Sequence, residues 1–291
     1  MPDIQSLRPP STLLIGGAGT GKTSSAVTLL KAGVAVRMLA TESSAPNRVL
    51  EEARKRGIDS SAFQWQFVSP TPPSWDSLLE KARLVNNLPL KDLADLKGGI
   101  AKSQGKQFIA FIEAMNNFRS DRDGKEYGDV TGWSSDTAFV IDGLSGFSEM
   151  SRNLTVGWKP NPAPGEWGVM QSNILDVIRK LCSDLRCYFV CIGHIEREQN
   201  EITGMTNITV STLGAKLAPK LPPLFTNVVL SKRNGTVFQW SVADSGVDTK
   251  PGDLDFRADL PQDFAPIIDA YRGRVKAVEV SAPNVVPLLK P

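Results

Sequence analysis

The chain has 291 residues, of which 41% are hydrophobic and 22% charged. That is enough apolar material for one large domain with a real core, in the range of ordinary soluble proteins. A formal net charge of +2 excludes a protein that coats nucleic acid over its whole surface, so any nucleic-acid site has to be local.

In chain order, Leu13-Leu14-Ile15 is a short apolar run entering glycines and reads as a buried parallel strand. Residues 23–31 carry Ala26, Val27, Leu29 and Leu30 and read as a helix, followed by a second strand over 34–40. Residues 47–56 form a charged helix ended by Gly57. A third strand over 63–68 is closed by Ser-Pro-Thr-Pro-Pro-Ser, and a helix follows from Trp75 with Ser77 and Glu80 placed as a capping box. Residues 88–135 read as a mobile insertion. They hold one amphipathic helix, with Phe108, Phe111, Ile112 and Met115 on one face, among Gly, Asn, Asp and Lys. Residues 138–141 resume the core as a strand ending at Asp142. After a loop over 161–165, residues 166–185 form the best helix in the chain, with Trp167, Met170, Ile174, Val177, Leu181 and Leu185 at helical spacing.

A buried strand over 188–192 runs into Gly193-His194. Beyond a polar segment and a Pro/Lys stretch, strands over 227–231 and 237–242 are joined by Lys232-Arg233-Asn234-Gly235, a strong hairpin signal. A last helix over 262–271 precedes a Pro- and Val-rich tail, frayed or used for contacts. Strands alternating with helices give an α/β fold with a mainly parallel central sheet, helices on both faces and a terminal β-hairpin. Residues 1–250 make one domain, and 251–291 a C-terminal helix and tail.

Cys182, Cys187 and Cys191 match no zinc spacing and read as free thiols, buried in a reducing cytosol. No basic start leads into an apolar run, and no stretch approaches the ~18 apolar residues of a membrane span. A soluble, cytoplasmic protein without membrane contact is expected.

The chemistry centres on Gly16-Gly17-Ala18-Gly19-Thr20-Gly21-Lys22-Thr23, which fits G-x-x-x-x-G-K-[ST] between a predicted strand and a predicted helix. The glycines let consecutive backbone N–H groups turn inward as an anion nest, and the helix N-terminus adds its dipole. Lys22 is placed for the β/γ-phosphates of ATP and the Thr23 hydroxyl for Mg2+. A carboxylate at the end of a neighbouring strand is needed for the metal, and Asp142 supplies it. Many P-loop ATPases place their base directly after that Asp; here the position holds Gly143. The base is therefore sought elsewhere, at Glu42 just past the second strand. His194, the only histidine, ends a strand at the rim where open α/β sheets bind ligands, suited to sensing the γ-phosphate. Two basic pairs, Lys216 with Lys220 and Lys232 with Arg233, are candidates for DNA phosphates or for a neighbouring subunit's nucleotide.

The pattern resembles RecA-like ATPases, and particularly the phage-encoded RecA-like proteins grouped with the Sak-type single-strand annealing recombinases. The resemblance rests on GGAGTGKT (16–23), FVIDGLSGFSEM (139–150), the Gln171-bearing helix, VCIGHIE (190–196) and LGAKLAPKLPPLFTNVVLSKRNG (213–235). Thr41-Glu42 with Pro46 and Arg48 is similar to the T-E…P-x-R run of RecA-type recombinases, where the Glu activates water. It implies a nucleotide role for Thr41, ATP-dependent binding of single-stranded DNA, work in phage recombination or replication in the host cytoplasm, and a ring or filament with ATP between subunits. The resemblance covers residues 13–40 and 138–242, and no aromatic-rich groove for stacking bases is evident.

Two other functions fit a P-loop. A small-molecule kinase needs a lid of converging arginines, for which Arg119 and Arg122 are the nearby candidates, diluted by Asp121 and Asp123. A nucleotide-gated assembly or packaging accessory with slow hydrolysis needs no further machinery.

Overall fold

The computed structural model describes residues 7–70, 74–87, 105–157, 162–199, 206–214, 216–244 and 246–281. Its frame is an eight-stranded sheet. The strands are β1 (Ser11–Gly16), β2 (Ala35–Ala40), β3 (Phe63–Phe67), β4 (Thr137–Asp142), β5 (Tyr188–Gly193), β8 (Asn227–Asn234), β9 (Val237–Ser241) and β10 (Leu260–Pro261). A separate hairpin, β6 (Ile195–Gln199) with β7 (Thr206–Val210), stands off it. The order across the sheet is β10-β9-β8-β1-β5-β4-β2-β3, parallel from β8 to β3 and antiparallel at β9 and β10. This is the α/β architecture with a mainly parallel sheet that the alternation of elements predicts.

The apolar strands read as continuous hydrophobic runs because both faces are covered. Leu13, Ile15, Phe139 and Ile141 point to one core, under α5 (Lys106–Asn116), α6 (Leu144–Thr155) and α7 (Pro164–Asp184). Leu14, Ala138 and Val140 alternate into the other, under α1 (Lys22–Ser25), α2 (Val27–Lys31), α3 (Ala45–Arg56) and α8 (Ala265–Ser281). The predicted 23–31 helix is one helical run tightened at Ala26, where N–H groups reach back three residues instead of four.

Several expectations change. The helix from Trp75, α4 (Trp75–Asn87), begins earlier than the predicted capping box requires. Ser77 already lies inside it, and the Ser74 hydroxyl accepts from the Ser77 N–H at 3.2 Å, so Ser74 is the cap. The 88–135 segment is not a loose insertion where it is described. Phe108 and Phe111 stack on Phe147 of α6, Met115 and Phe118 are buried, and Trp133 packs edge-on against Phe139 of β4. Residues 88–104 lie outside the described residues. The last helix runs on to Ser281, and β10 adds a strand to the sheet, so the chain beyond 251 belongs to the same core through Phe264, Ile267, Ile268 and Tyr271. The tail beyond it also lies outside the described residues.

Residues 118–122 close the exposed edge of β3. Asp121 accepts from the Phe67 N–H, its own N–H donates to the Trp65 carbonyl, and the Arg122 guanidinium donates to the carbonyls of Ser60 and Phe63. An unpaired edge strand would otherwise recruit another chain.

Candidate nucleotide-binding site

The register of the parallel strands brings the C-terminal ends of β1, β2, β4, β5 and β8 to one rim. Ile15 is level with Gly193, Asp142 with Ile192, Ala40 with Asp142, and Gly16 with Ser231. The predicted chemistry sits there, around a cleft of about 520 Å3 lined by residues 18–24, Glu42, Arg48, Asp142, Gly143, Ile192, Gly193, His194 and Phe238.

The loop after β1 turns its backbone toward the N-terminus of α1, as the motif requires. At its end Gly21 takes φ +85°, a conformation that L side chains rarely adopt, and a Cβ there would stand 2.5 Å from Gln262 Oε1. The loop is braced from behind. Ser231 Oγ and Gln262 Nε2 each donate to the Thr20 carbonyl at 2.8 Å, and Thr20 Oγ1 donates to the Gly17 carbonyl at 2.9 Å. Lys22, 7% exposed, donates from Nζ to the carbonyls of Gly16 and Gly17 at 2.9 and 2.7 Å. Burial pulls its ammonium below the ordinary lysine value, against the opposing pull of Asp142 and Glu42.

Asp142 ends β4 inside the protein. Burial drives its carboxyl up from 3.8 to about 6, although the Thr23 hydroxyl donates to it and Lys22 lies near. Its Oδ2 is buried with no hydrogen-bond partner. An unsatisfied buried carboxylate oxygen beside a hydroxyl is a costly arrangement alone and a fitting oxygen donor pair for Mg2+, which takes one or two protein ligands with phosphates and water. The donor chemistry fits that ion.

Gly143 explains why no acid follows Asp142. Its φ is +117°, and a Cβ there would fall 1.8 Å from Thr41 Oγ1. Thr41 is itself fixed. Its N–H donates to the Asp142 carbonyl at 2.9 Å, and its hydroxyl donates to the carbonyls of Asp142 and Gly143 at 3.2 Å. Thr41 therefore stitches β2 to the turn after β4 and is absent from the cleft lining.

Glu42, the next residue, is exposed at the cleft mouth. Its two carboxylate oxygens face His194 Nε2 at 3.9 Å and Arg48 Nη2 at 4.0 Å. Burial, and then Lys22, lower the His194 value from 6.5, so at neutral pH the ring is uncharged and the His194–Glu42 approach is no ion pair. The structure thus unites Lys22, Thr23, Asp142, Glu42 and His194 in one cleft.

The basic candidates separate. Lys216 and Lys220 are exposed and outside the cleft lining. Lys232 is paired with Asp244 at 2.8 Å. Arg233 is exposed on β8, with Nη1 4.0 Å from where a Gly19 Cβ would be, beside its own P-loop. Arg122 of the kinase lid is committed to the β3 edge, and neither it nor Arg119 lines the cleft. The cysteines are free, with burial pushing the thiols of Cys182 and Cys187 up to about 12, so neither is a nucleophile at neutral pH. Sequence reasoning missed Ser24, Phe238, Ser231 and Gln262.

No protein-family model matches the sequence, and no curated protein matches it. In fold, the chain is similar to a solved prototypical ATPase from the type III secretion system of pathogenic bacteria, with a TM-score of 0.38 and 10% identity over 78% of this chain and 52% of that one. The chain thus spans about half the length of that structure. These comparisons do not extend the resemblance to the Sak-type recombinases. Among the described residues no helix is long and apolar enough to cross a membrane.

Proposed function

We propose that this protein binds ATP with Mg2+ on residues 16–23 and hydrolyses it. The observation that carries the reading is the meeting, at one sheet rim, of the Lys22–Thr23 end of the P-loop with a buried Asp142 carboxylate whose Oδ2 has no partner. The inward N–H groups and the α1 N-terminus receive the β-phosphate, and Lys22 leaves its carbonyl partners to bridge the β- and γ-phosphates. Thr23 and Asp142 would hold Mg2+, which when bound neutralises phosphate charge. Glu42, exposed at the mouth where water enters, takes a proton from the water whose oxygen attacks the γ-phosphorus. The bond from that phosphorus to the bridging oxygen breaks, and ADP and phosphate leave. Arg48 and His194, both in the cleft lining, stand 4.0 and 3.9 Å from the two oxygens of Glu42.

Action on single-stranded DNA as a ring or filament, in phage recombination or replication, is the finer reading. It is supported by the sequence resemblance and by the exposed Lys216 and Lys220. The kinase reading is weakened by the commitment of Arg122 elsewhere. Phosphate release with and without single-stranded DNA, with Lys22→Ala as the blank, separates these. Stimulation by DNA supports the recombinase-like reading, and slow DNA-indifferent release supports the gated accessory. Release no faster than the Lys22→Ala blank removes the ATPase assignment altogether.

A further inference from the structure

The cleft has a polarity. Asp142, Glu42 and His194 stand on the β2–β4–β5 side, so on the reading above the terminal phosphate points there, and the nucleoside has to leave at the opposite end. That end lies toward the β8–β9 hairpin, and the residue from the hairpin that lines the cleft is Phe238. Its ring edge comes within 3.1 Å of where a Gly21 Cβ would be, over the start of α1. The side chain is 45% exposed, an aromatic surface left open in the cleft lining. Its position is held from both sides. Phe238 pairs across the hairpin with Arg233, and the neighbouring Gln239 offers its carbonyl to Gln262 Nε2 at 3.3 Å, the same amide that donates to the Thr20 carbonyl.

We infer that Phe238 is the base-stacking residue of the site, the wall on which the nucleoside's aromatic ring lies while the P-loop holds the phosphates. The inference rests on the proposal that the P-loop binds a nucleoside triphosphate. A planar base over an exposed aromatic ring covers apolar surface on both partners and is indifferent to the pattern of hydrogen-bonding groups on the base. Phe238 thus distinguishes a nucleotide from a bare polyphosphate, and favours the larger purine rings over pyrimidines.

Calorimetric titration of the full chain with Mg2+–ATP and with Mg2+–tripolyphosphate, for the native protein, Phe238→Ala and Phe238→Trp, tests this. Loss of one base–aromatic stack is expected to weaken ATP binding by about tenfold or more in Phe238→Ala. Tripolyphosphate binding should stay unchanged, and Phe238→Trp should restore ATP binding. Unchanged ATP binding in Phe238→Ala overturns the inference, as does an equal loss for both ligands, which would mean that the hairpin merely props the loop. If the native protein binds neither ligand, the P-loop reading itself falls, a result distinct from failure of the stacking role.

Discussion

Gly143→Ala is the substitution whose cost the structure sets most directly. The residue sits at φ +117° and ψ 64°, and its new methyl would overlap Thr41 Oγ1 at 1.8 Å and crowd Thr41 Cβ at 3.0 Å. Left-handed backbone costs a non-glycine residue about 1–2 kcal/mol, and overpacking in a rigid site costs about 1–3 kcal/mol more. The sum is a destabilisation of about 2–5 kcal/mol. Thr41→Ala alone gives up the hydroxyl's bonds to two carbonyls, about 1 kcal/mol. In the double variant the hydroxyl is gone and the worst overlap with it, so the combined cost falls short of the sum by about 1–3 kcal/mol. Urea unfolding followed by tryptophan fluorescence measures all three. A single Gly143→Ala within about 0.5 kcal/mol of the native protein, or strictly additive singles, refutes the argument that Thr41 forbids a side chain after Asp142.

Lys22→Ala is expected to abolish nucleotide binding in the same calorimetric titration, because on the proposed reading the buried ammonium, bonded here to the Gly16 and Gly17 carbonyls, is the cation that meets the phosphates. Asp142→Asn tests the burial of charge. The folded carboxyl holds its proton up to about pH 6 against 3.8 unfolded, so the penalty is absent below pH 3.8 and complete above about pH 6. In metal-free buffer at pH 8 the Asn variant should be more stable by about 3 kcal/mol, with the gap closing toward pH 4. A melting-temperature gap that does not change with pH contradicts it. Arg122→Ala removes the bonds to Ser60 and Phe63, and should lower stability by about 1–3 kcal/mol while leaving phosphate release unchanged; a loss of turnover would bring the kinase-type lid back.

The parallel strands were readable because burial on both faces leaves runs such as Leu13-Leu14-Ile15 and Phe139-Val140-Ile141 without alternation. The P-loop and Asp142 were readable because their motifs are local. Helix α6 was missed because its glycine and three serines resemble a loop, although Leu144, Phe147 and Met150 line its buried face. The β6–β7 hairpin was missed because its residues are mostly polar, with Ile195 and Val210 touching the core. The braces of the site had no local signal at all. Ser231 and Gln262 bond Thr20 from 211 and 242 residues away, and Phe238 reaches Gly21 from a hairpin whose sequence announces only its turn. Thr41 shows the reverse case, a motif residue whose hydroxyl turns out to fasten strands.

The most direct test of the account is phosphate release from Mg2+–ATP by Glu42→Gln beside the native protein, with ATP binding measured on the same samples. The account predicts unchanged binding and turnover lower by about a hundredfold or more, the usual contribution of a positioned base. Equal turnover in the two proteins would contradict it, and would show that the water above the γ-phosphate is activated by a group other than the one this cleft presents.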